Sequence, residues 1–154
     1  MVLTLASRLT DSNTGEDITQ EVFLRAYQAL SGYGQARVLQ LSARPWLATI
    51  TRNLVRNEYR RRDRRATVPL DTDEPAPAND SNLETIDAND QVNQLLTSLT
   101  DAQRSAVVLR HVVGLSMRDV ALTMSCPEGT AKSHVSRGLA RLRSQLQAEQ
   151  GTQP

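Results

Sequence analysis

Apolar residues in the C-terminal third of the chain recur at spacings of three and four, the period of a helix with one buried face. Met117, Val120, Ala121 and Met124 form one such stripe, and Ala131, Val135, Leu139, Leu142 and Leu146 form another. Three hydroxyl residues near these stripes are each followed, three positions on, by an acid or amide: Thr100 by Gln103, Ser116 by Asp119, and Ser125 by Glu128. In that capping-box pattern the two side chains satisfy each other's unpaired backbone donors at a helix start. The pattern predicts helices near 101–113, 117–124 and 126–147, with a shorter one near 90–97. Gly114 stands where a C-terminal cap belongs. At about 100° per residue, Thr130, Ser133, Arg137 and Ser144 fall opposite the leucines of the last helix, with His134 and Arg141 beside them. Two helices joined by a tight turn, the second carrying a polar and basic outer face, make a helix-turn-helix.

The N-terminal half predicts helices near 1–10, 16–31 and 44–63, with a loop over 31–43. Ile18, Val22, Ala26 and Ala29 line one side of the second helix and leave Asp17, Gln20, Glu21 and Gln28 elsewhere on its surface. The third helix buries Leu47, Ile50, Leu54 and Val55. Its remaining surface is a basic, polar strip of Arg52, Asn53, Arg56, Asn57 and Arg60. Only 3% of residues are aromatic, so the core is expected from Leu, Val, Ile, Ala and Met, a palette that suits helical packing better than a sandwich.

The net charge of +1 hides a strong segregation. Residues 51–65 hold seven arginines against Glu58 and Asp63, residues 66–99 hold seven acids and no Lys or Arg, and residues 100–154 are again basic. Two basic blocks flanking an acidic one point to a polyanionic partner. The acidic stretch 66–90 is rich in Pro, Asp, Asn, Ser and Thr and shows no helical period, so it reads as a flexible linker that reaches about 80 Å when extended. The expected fold is therefore all-α: two small helical domains, 1–65 and 91–148, joined by that linker, the second containing the helix-turn-helix, with a tail over 149–154.

The arginines suit phosphates, whose neutralisation releases counterions. Asn53 and Asn57 lie one turn apart and present amides that both donate to and accept from base edges. Trp46 is a candidate platform for an unstacked base. Thr130, Lys132, Ser133, His134 and Arg137 occupy the first turns of the last helix, the part of a recognition helix that enters the major groove. Arg61 and Arg141 extend the two basic surfaces. Catalysis is not expected: the two histidines are far apart, there is one cysteine, and the acids concentrate in the linker, whereas phosphodiester chemistry needs clustered carboxylates or a positioned histidine. No cofactor or metal is implied. The single Cys126 excludes an intrachain disulfide and fits a reducing cytosol. No apolar run approaches the roughly 18–20 residues of a membrane span, and the start MVLTLASRLTDS lacks the basic leader of a signal peptide.

Three stretches together resemble the extracytoplasmic-function (ECF) group of bacterial sigma factors. They run from Glu16 to Tyr27, from Arg44–Pro45–Trp46–Leu47 to Arg52–Asn53–Leu54, and from Leu99–Thr100 to Arg143, the last including Arg110, Gly114–Leu115–Ser116 and Cys126–Pro127–Glu128–Gly129–Thr130. The resemblance implies a cytoplasmic transcription-initiation factor whose partners are core RNA polymerase, promoter DNA and an anti-sigma factor. It implies that the helix from Glu16 docks on the polymerase through Asp17, Gln20, Glu21, Phe23 and Leu24. The helix from Trp46 would read and help melt the −10 element, the loop before it would help hold an extruded base, and the helix-turn-helix would read the −35 element. In the family a longer first helix precedes the equivalent of Leu3–Thr10, Ser125 stands where glycine is common, and His134 where arginine is common. The competing reading is a helix-turn-helix regulator that never joins polymerase; it accounts for the C-terminal half and leaves the N-terminal one unexplained.

Overall fold

A computed structural model of the chain describes residues 1–67 and 88–150. The linker expected over 66–90 lies, apart from helical residues at its two ends, outside the described residues, as does the tail beyond Gln150. Among the described residues every regular element is helical: α1 (Val2–Leu9), α2 (Ser12–Ser31), α3 (Gln35–Leu39), α4 (Ala43–Thr67), α5 (Ala88–Thr97), α6 (Asp101–Val107), α7 (Met117–Met124) and α8 (Glu128–Gln150). They form two small helical modules, α1–α4 and α5–α8.

In the first module α1 buries Val2, Leu5, Ala6 and Leu9. These pack with Ile18 and Val22 of α2 and with Ala48, Leu54 and Val55 of α4. The helix α2 begins earlier than its apolar stripe suggests. Asp11 caps it, accepting from the Thr14 amide at 2.8 Å and from the Thr14 hydroxyl at 2.8 Å. Gly15 makes the close approach of α1 and α2 possible, because a Cβ there would lie 2.8 Å from the Ser7 backbone. The segment predicted as a loop over 31–43 contains the short α3, which buries none of its residues. With no buried face it left no periodic trace in the sequence.

In the second module the capping box at Thr100 is complete, with Gln103 N donating to Thr100 Oγ1 and Thr100 N to Gln103 Oε1, both at 3.3 Å. Ser116 accepts from Asp119 N at 3.1 Å. The box expected at Ser125 does not form. Ser125 is left-handed (φ 54°) and closes α7, while Pro127 opens α8 by accepting from Thr130 N at 3.0 Å. Proline's fixed φ and missing N–H suit a helix start, so the serine serves the helix before it. The helix predicted over 101–113 is also not uniform: α6 runs into a π turn over Val108–Val112. That turn ends where Gly114, at φ 77°, allows Leu115 N to reach back to Leu109 O at 3.0 Å. On α8, Ala131 and Val135 are buried and Leu139 and Leu142 partly so, but Leu146 is 42% exposed. There the helix is passing beyond α5, with Gln145 still accepting from Ser98 Oγ at 2.7 Å.

The two modules are not apart. α1 packs on the π turn and on α6, and α4 packs on α7. One buried cluster runs through both, so that Leu5 and Leu9 belong to the same core as Val108 and Leu109.

Candidate functional site

Three surfaces collect the residues singled out from the sequence. The first is the outer strip of α4. Asn53, Arg56, Asn57 and Arg60 are all exposed, and their spacing of three and four sets them on one side of the helix. Arg56 and Arg60 make no ion pair with any described residue, leaving their charges to solvent. Arg61 is tied to Glu58 at 2.9 Å. The neighbouring Arg62 reaches back to α2, donating to Thr14 Oγ1 at 2.7 Å, which leaves Arg61 and Arg62 partly committed to the fold.

Arg52 departs from the strip. It is half-buried against α7, its Nη1 donating to the Thr123 carbonyl at 3.4 Å, while its buried Nε has no partner. Burial pulls this guanidinium below its ordinary pKa, the nearby Arg56 adds to the depression, and Cys126 opposes it. The sequence placed Arg52 on an open face because α4 looks amphipathic by itself; α7 covers that side only in the folded chain.

Trp46 is partly buried and stands 6.2 Å, centroid to centroid, from Tyr33 with the rings tilted at 53°. The Arg37 guanidinium lies 4.1 Å from the centre of the Tyr33 ring. The result is a Trp–Tyr–Arg row joining the start of α4 to α3, with Leu39 80% exposed beside it in the same segment. Sequence reasoning named Trp46 and missed Tyr33 and Arg37. The available signal was compositional: with a single Trp, three Tyr and a single Phe in the chain, a Tyr with an Arg four positions on is a rare resource. Tyr59, by contrast, is structural, donating from its hydroxyl to the Leu9 carbonyl at 2.6 Å.

The second surface is the outer face of α8. Thr130, Lys132, Ser133, Arg137 and Arg141 are exposed and His134 is half-buried. Lys132 pairs with Glu128 at 2.8 Å, a solvent-exposed bond that is easily exchanged. Ser133 donates to the Gly129 carbonyl at 3.0 Å, which leaves its oxygen free to accept. Gly138 lies on the opposite side, where a Cβ would come within 2.7 Å of a Val107 methyl. This close packing holds α8 on α6 and turns the arginines outward.

The third surface is on α2. Asp17, Gln20, Phe23 and Leu24 are exposed and Glu21 is half-buried, accepting from Arg25 Nε at 2.6 Å. Phe23 is 55% exposed, Leu24 52% and Tyr27 73%. Three large apolar side chains within five residues make an open patch of the kind that marks a protein interface. Tyr27 was not among the expected docking residues, although its spacing from Phe23 places it on that face. No group of His, Cys, Asp and Glu among the described residues is arranged to hold a metal ion, and none of their helices is long and apolar enough to cross a membrane.

Comparison with known proteins adds to this geometry. Residues 1–65 match the family described as Sigma-70 region 2, and residues 89–142 match Sigma-70, region 4. The chain is 34% identical over 130 residues to the probable RNA polymerase sigma-C factor of Mycobacterium bovis, covering 84% of this chain and 68% of that one. It is 28% identical to the ECF RNA polymerase sigma-E factor of Escherichia coli K12, covering 95% and 81%. Its fold matches the sigma factor RpoE from Bartonella quintana, solved in complex with the anti-sigma factor NepR. There the TM-score is 0.74 at 27% identity, over 95% of this chain and 89% of that one.

Proposed function

The chain belongs to the extracytoplasmic-function group of the sigma-70 family, and we propose how its surfaces divide the work of directing RNA polymerase to promoters. It is a transcription-initiation factor that binds core RNA polymerase and promoter DNA. The reading assigns residues 1–65 to polymerase docking and the −10 element, and residues 91–148 to the −35 element, with 66–90 as the connection. On α2, Asp17, Gln20, Glu21, Phe23 and Leu24 dock on the polymerase, with Tyr27 extending the apolar part. On α4, Asn53 and Asn57 read base edges and Arg56, Arg60 and Arg61 hold phosphates. Trp46, backed by Tyr33 and Arg37, replaces the stacking a base loses when the duplex opens. On α8, Arg137 reads a guanine edge with Thr130, Ser133 and His134 beside it, and Lys132 and Arg141 hold phosphates. The protein works in the cytoplasm, where its polymerase is, and without catalysis of its own. An anti-sigma factor completes its partners, as one does for the Bartonella quintana neighbour.

The observation that carries this division is the pairing of two outward polar faces, on α4 and α8, each lying within one of the two matched regions. Run-off transcription with purified core enzyme on genomic templates tests it. Addition of the protein is expected to create new, defined start sites, and the protein is expected to stay on immobilised core enzyme at moderate salt. New start sites without retention on core enzyme would favour a regulator that acts outside the polymerase.

A further inference from the structure

Where α1, α4 and α6 meet there is a cleft of about 200 Å³. Arg52, Arg56 and Arg60 line it from α4, and Arg104 lines it from α6. The three arginines of α4 recur every four residues, which sets them along one flank of the helix. Asp63 and Asp101 stand at the exposed edge, so the lining holds four guanidinium groups and two carboxylates. Leu9, Val55 and Tyr59 supply its apolar part.

None of the four arginines makes an ion pair with a described residue. Like charges four residues apart on a helix repel, and burial together with the Arg56 charge holds the Arg52 guanidinium below its ordinary pKa. Two of the four do not belong to an open, solvated face. Arg104 is half-buried and donates through Nε to the Leu96 carbonyl at 2.9 Å, through Nη2 to the Thr97 carbonyl at 3.1 Å and through Nη1 to the Tyr59 hydroxyl at 3.5 Å. Arg52, also half-buried, donates to the Thr123 carbonyl at 3.4 Å and keeps a buried Nε without a partner. These bonds to neutral oxygens pin both side chains and leave their charges unmatched. A desolvated cation without a counter-charge is costly, and an unsatisfied buried donor beside it points to an ion that the site takes up.

An arginine fork binds phosphate oxygens in pairs. Arginines on two walls suit an anion of two linked phosphates, which can bond to α4 and α6 at once. At about 200 Å³ the cleft is smaller than the roughly 300 Å³ or more that a whole small-molecule ligand fills. A diphosphate therefore fits, and a nucleoside attached to it would lie outside. We propose that the cleft binds a diphosphate group, free or at the end of a nucleotide, and that the bound anion competes with promoter DNA for Arg56 and Arg60. Arg52 and Arg104, already pinned, hold the anion, and the exposed Arg56 and Arg60 close on it from the rim. The site stands on this geometry alone. The competition rests on the sigma-factor reading, which gives Arg56 and Arg60 to DNA phosphates.

Titration calorimetry on the full chain with inorganic pyrophosphate, ADP and GDP, without divalent cations and at constant ionic strength, tests the site. Pyrophosphate is expected to saturate a single site, and sulfate to bind much more weakly, because one tetrahedral anion does not span both walls. A nucleotide affinity no higher than that of pyrophosphate identifies the ligand as free diphosphate, and a higher one identifies it as a nucleotide. Arg52→Gln and Arg104→Gln should each weaken pyrophosphate binding about tenfold, the loss of a charge-assisted hydrogen bond. Arg118→Gln, exposed on α7 and away from the cleft, should leave it unchanged. A second measurement needs no variant: bound pyrophosphate should slow phenylglyoxal modification of Arg56 and Arg60 and not of Arg118. No pyrophosphate binding, binding that sulfate matches, or equal protection of Arg118 would overturn the site. For the competition, the free protein is incubated with saturating pyrophosphate before core enzyme and promoter DNA are added. Promoter affinity should fall severalfold for the unaltered chain and much less for Arg52→Gln. An unchanged affinity would overturn the competition. Failure of the unaltered chain to direct core enzyme would overturn the sigma reading, and calorimetry would still report on the site.

Discussion

Arg52 and Arg56 are one turn apart on α4 and meet different surroundings: the first is half-buried against Thr123, the second is exposed and without an ion pair among the described residues. Residue identity sets what a side chain can do, and neighbours set whether it is available. Arg137, exposed on α8, is available, and its planar guanidinium suits a guanine edge. Arg137→Ala is expected to lower promoter-specific transcription by the equivalent of about 1–3 kcal/mol with much less effect on core binding. Titrations with core enzyme alone and with cognate and scrambled −35 sequences check this, and equal losses in all three would remove the base-reading role. Gly15 shows the opposite constraint, a residue important for lacking a side chain. Gly15→Ala forces a Cβ toward the Ser7 backbone, which neither helix can relieve by a side-chain rotation alone. A loss of about 1–3 kcal/mol is expected, visible as a lowered midpoint in thermal or urea unfolding.

At the scale of elements, α2 is held by its cap and exposed by its outer face. Asp11 is exposed, and the desolvation its neighbours impose by itself raises its pKa. Hydrogen bonds from the Thr14 backbone and side chain, with the Arg62 charge, outweigh that and keep the carboxyl below its usual range. A carboxyl depressed in the folded state contributes stability above its unfolded value of about 3.9 and loses it as pH falls through the folded value. Asp11→Ala is expected to cost about 1 kcal/mol at neutral pH. The gap to the unaltered protein should narrow below pH of about 4, as urea titrations at several pH values will show. On the outer face of the same helix, Glu21→Arg removes an exposed pair with Arg25, which contributes little to stability. It is expected to weaken core-polymerase binding at least several-fold while leaving the circular dichroism and unfolding midpoint nearly unchanged. The helices with strong stripes and caps were legible in the sequence, α7 to its end residues. The short α3 and the π turn were not, because neither shows an apolar period of its own. The aromatic row of Tyr33 and Trp46 escaped for a related reason: it is assembled across a turn, and spacing along one helix carries no trace of it.

At the scale of the whole molecule, the charge segregation matters more than the net value. Two basic surfaces meeting one duplex should make promoter binding fall steeply with salt, with a slope of about −0.9 in log units for each phosphate neutralised. Arg56→Ala should lower that slope by about 1 and weaken binding almost equally across promoter sequences. A salt titration of the complex with core enzyme measures both, and an unchanged slope would take Arg56 off the phosphate path. The amino-acid order by itself determined the striped and capped helices, the two basic blocks, the acidic stretch between them and the polar face of α8, because each follows from periodicity, capping or composition within one segment. Only the tertiary structure decided that Ser125 closes one helix instead of opening the next, that Tyr33 and Arg37 join Trp46, and that α7 lies on Arg52. Those outcomes depend on which surfaces meet. Segments of α1, α4, α6 and α7 far apart in the chain bury their apolar faces in one common core, and no single segment contains that information.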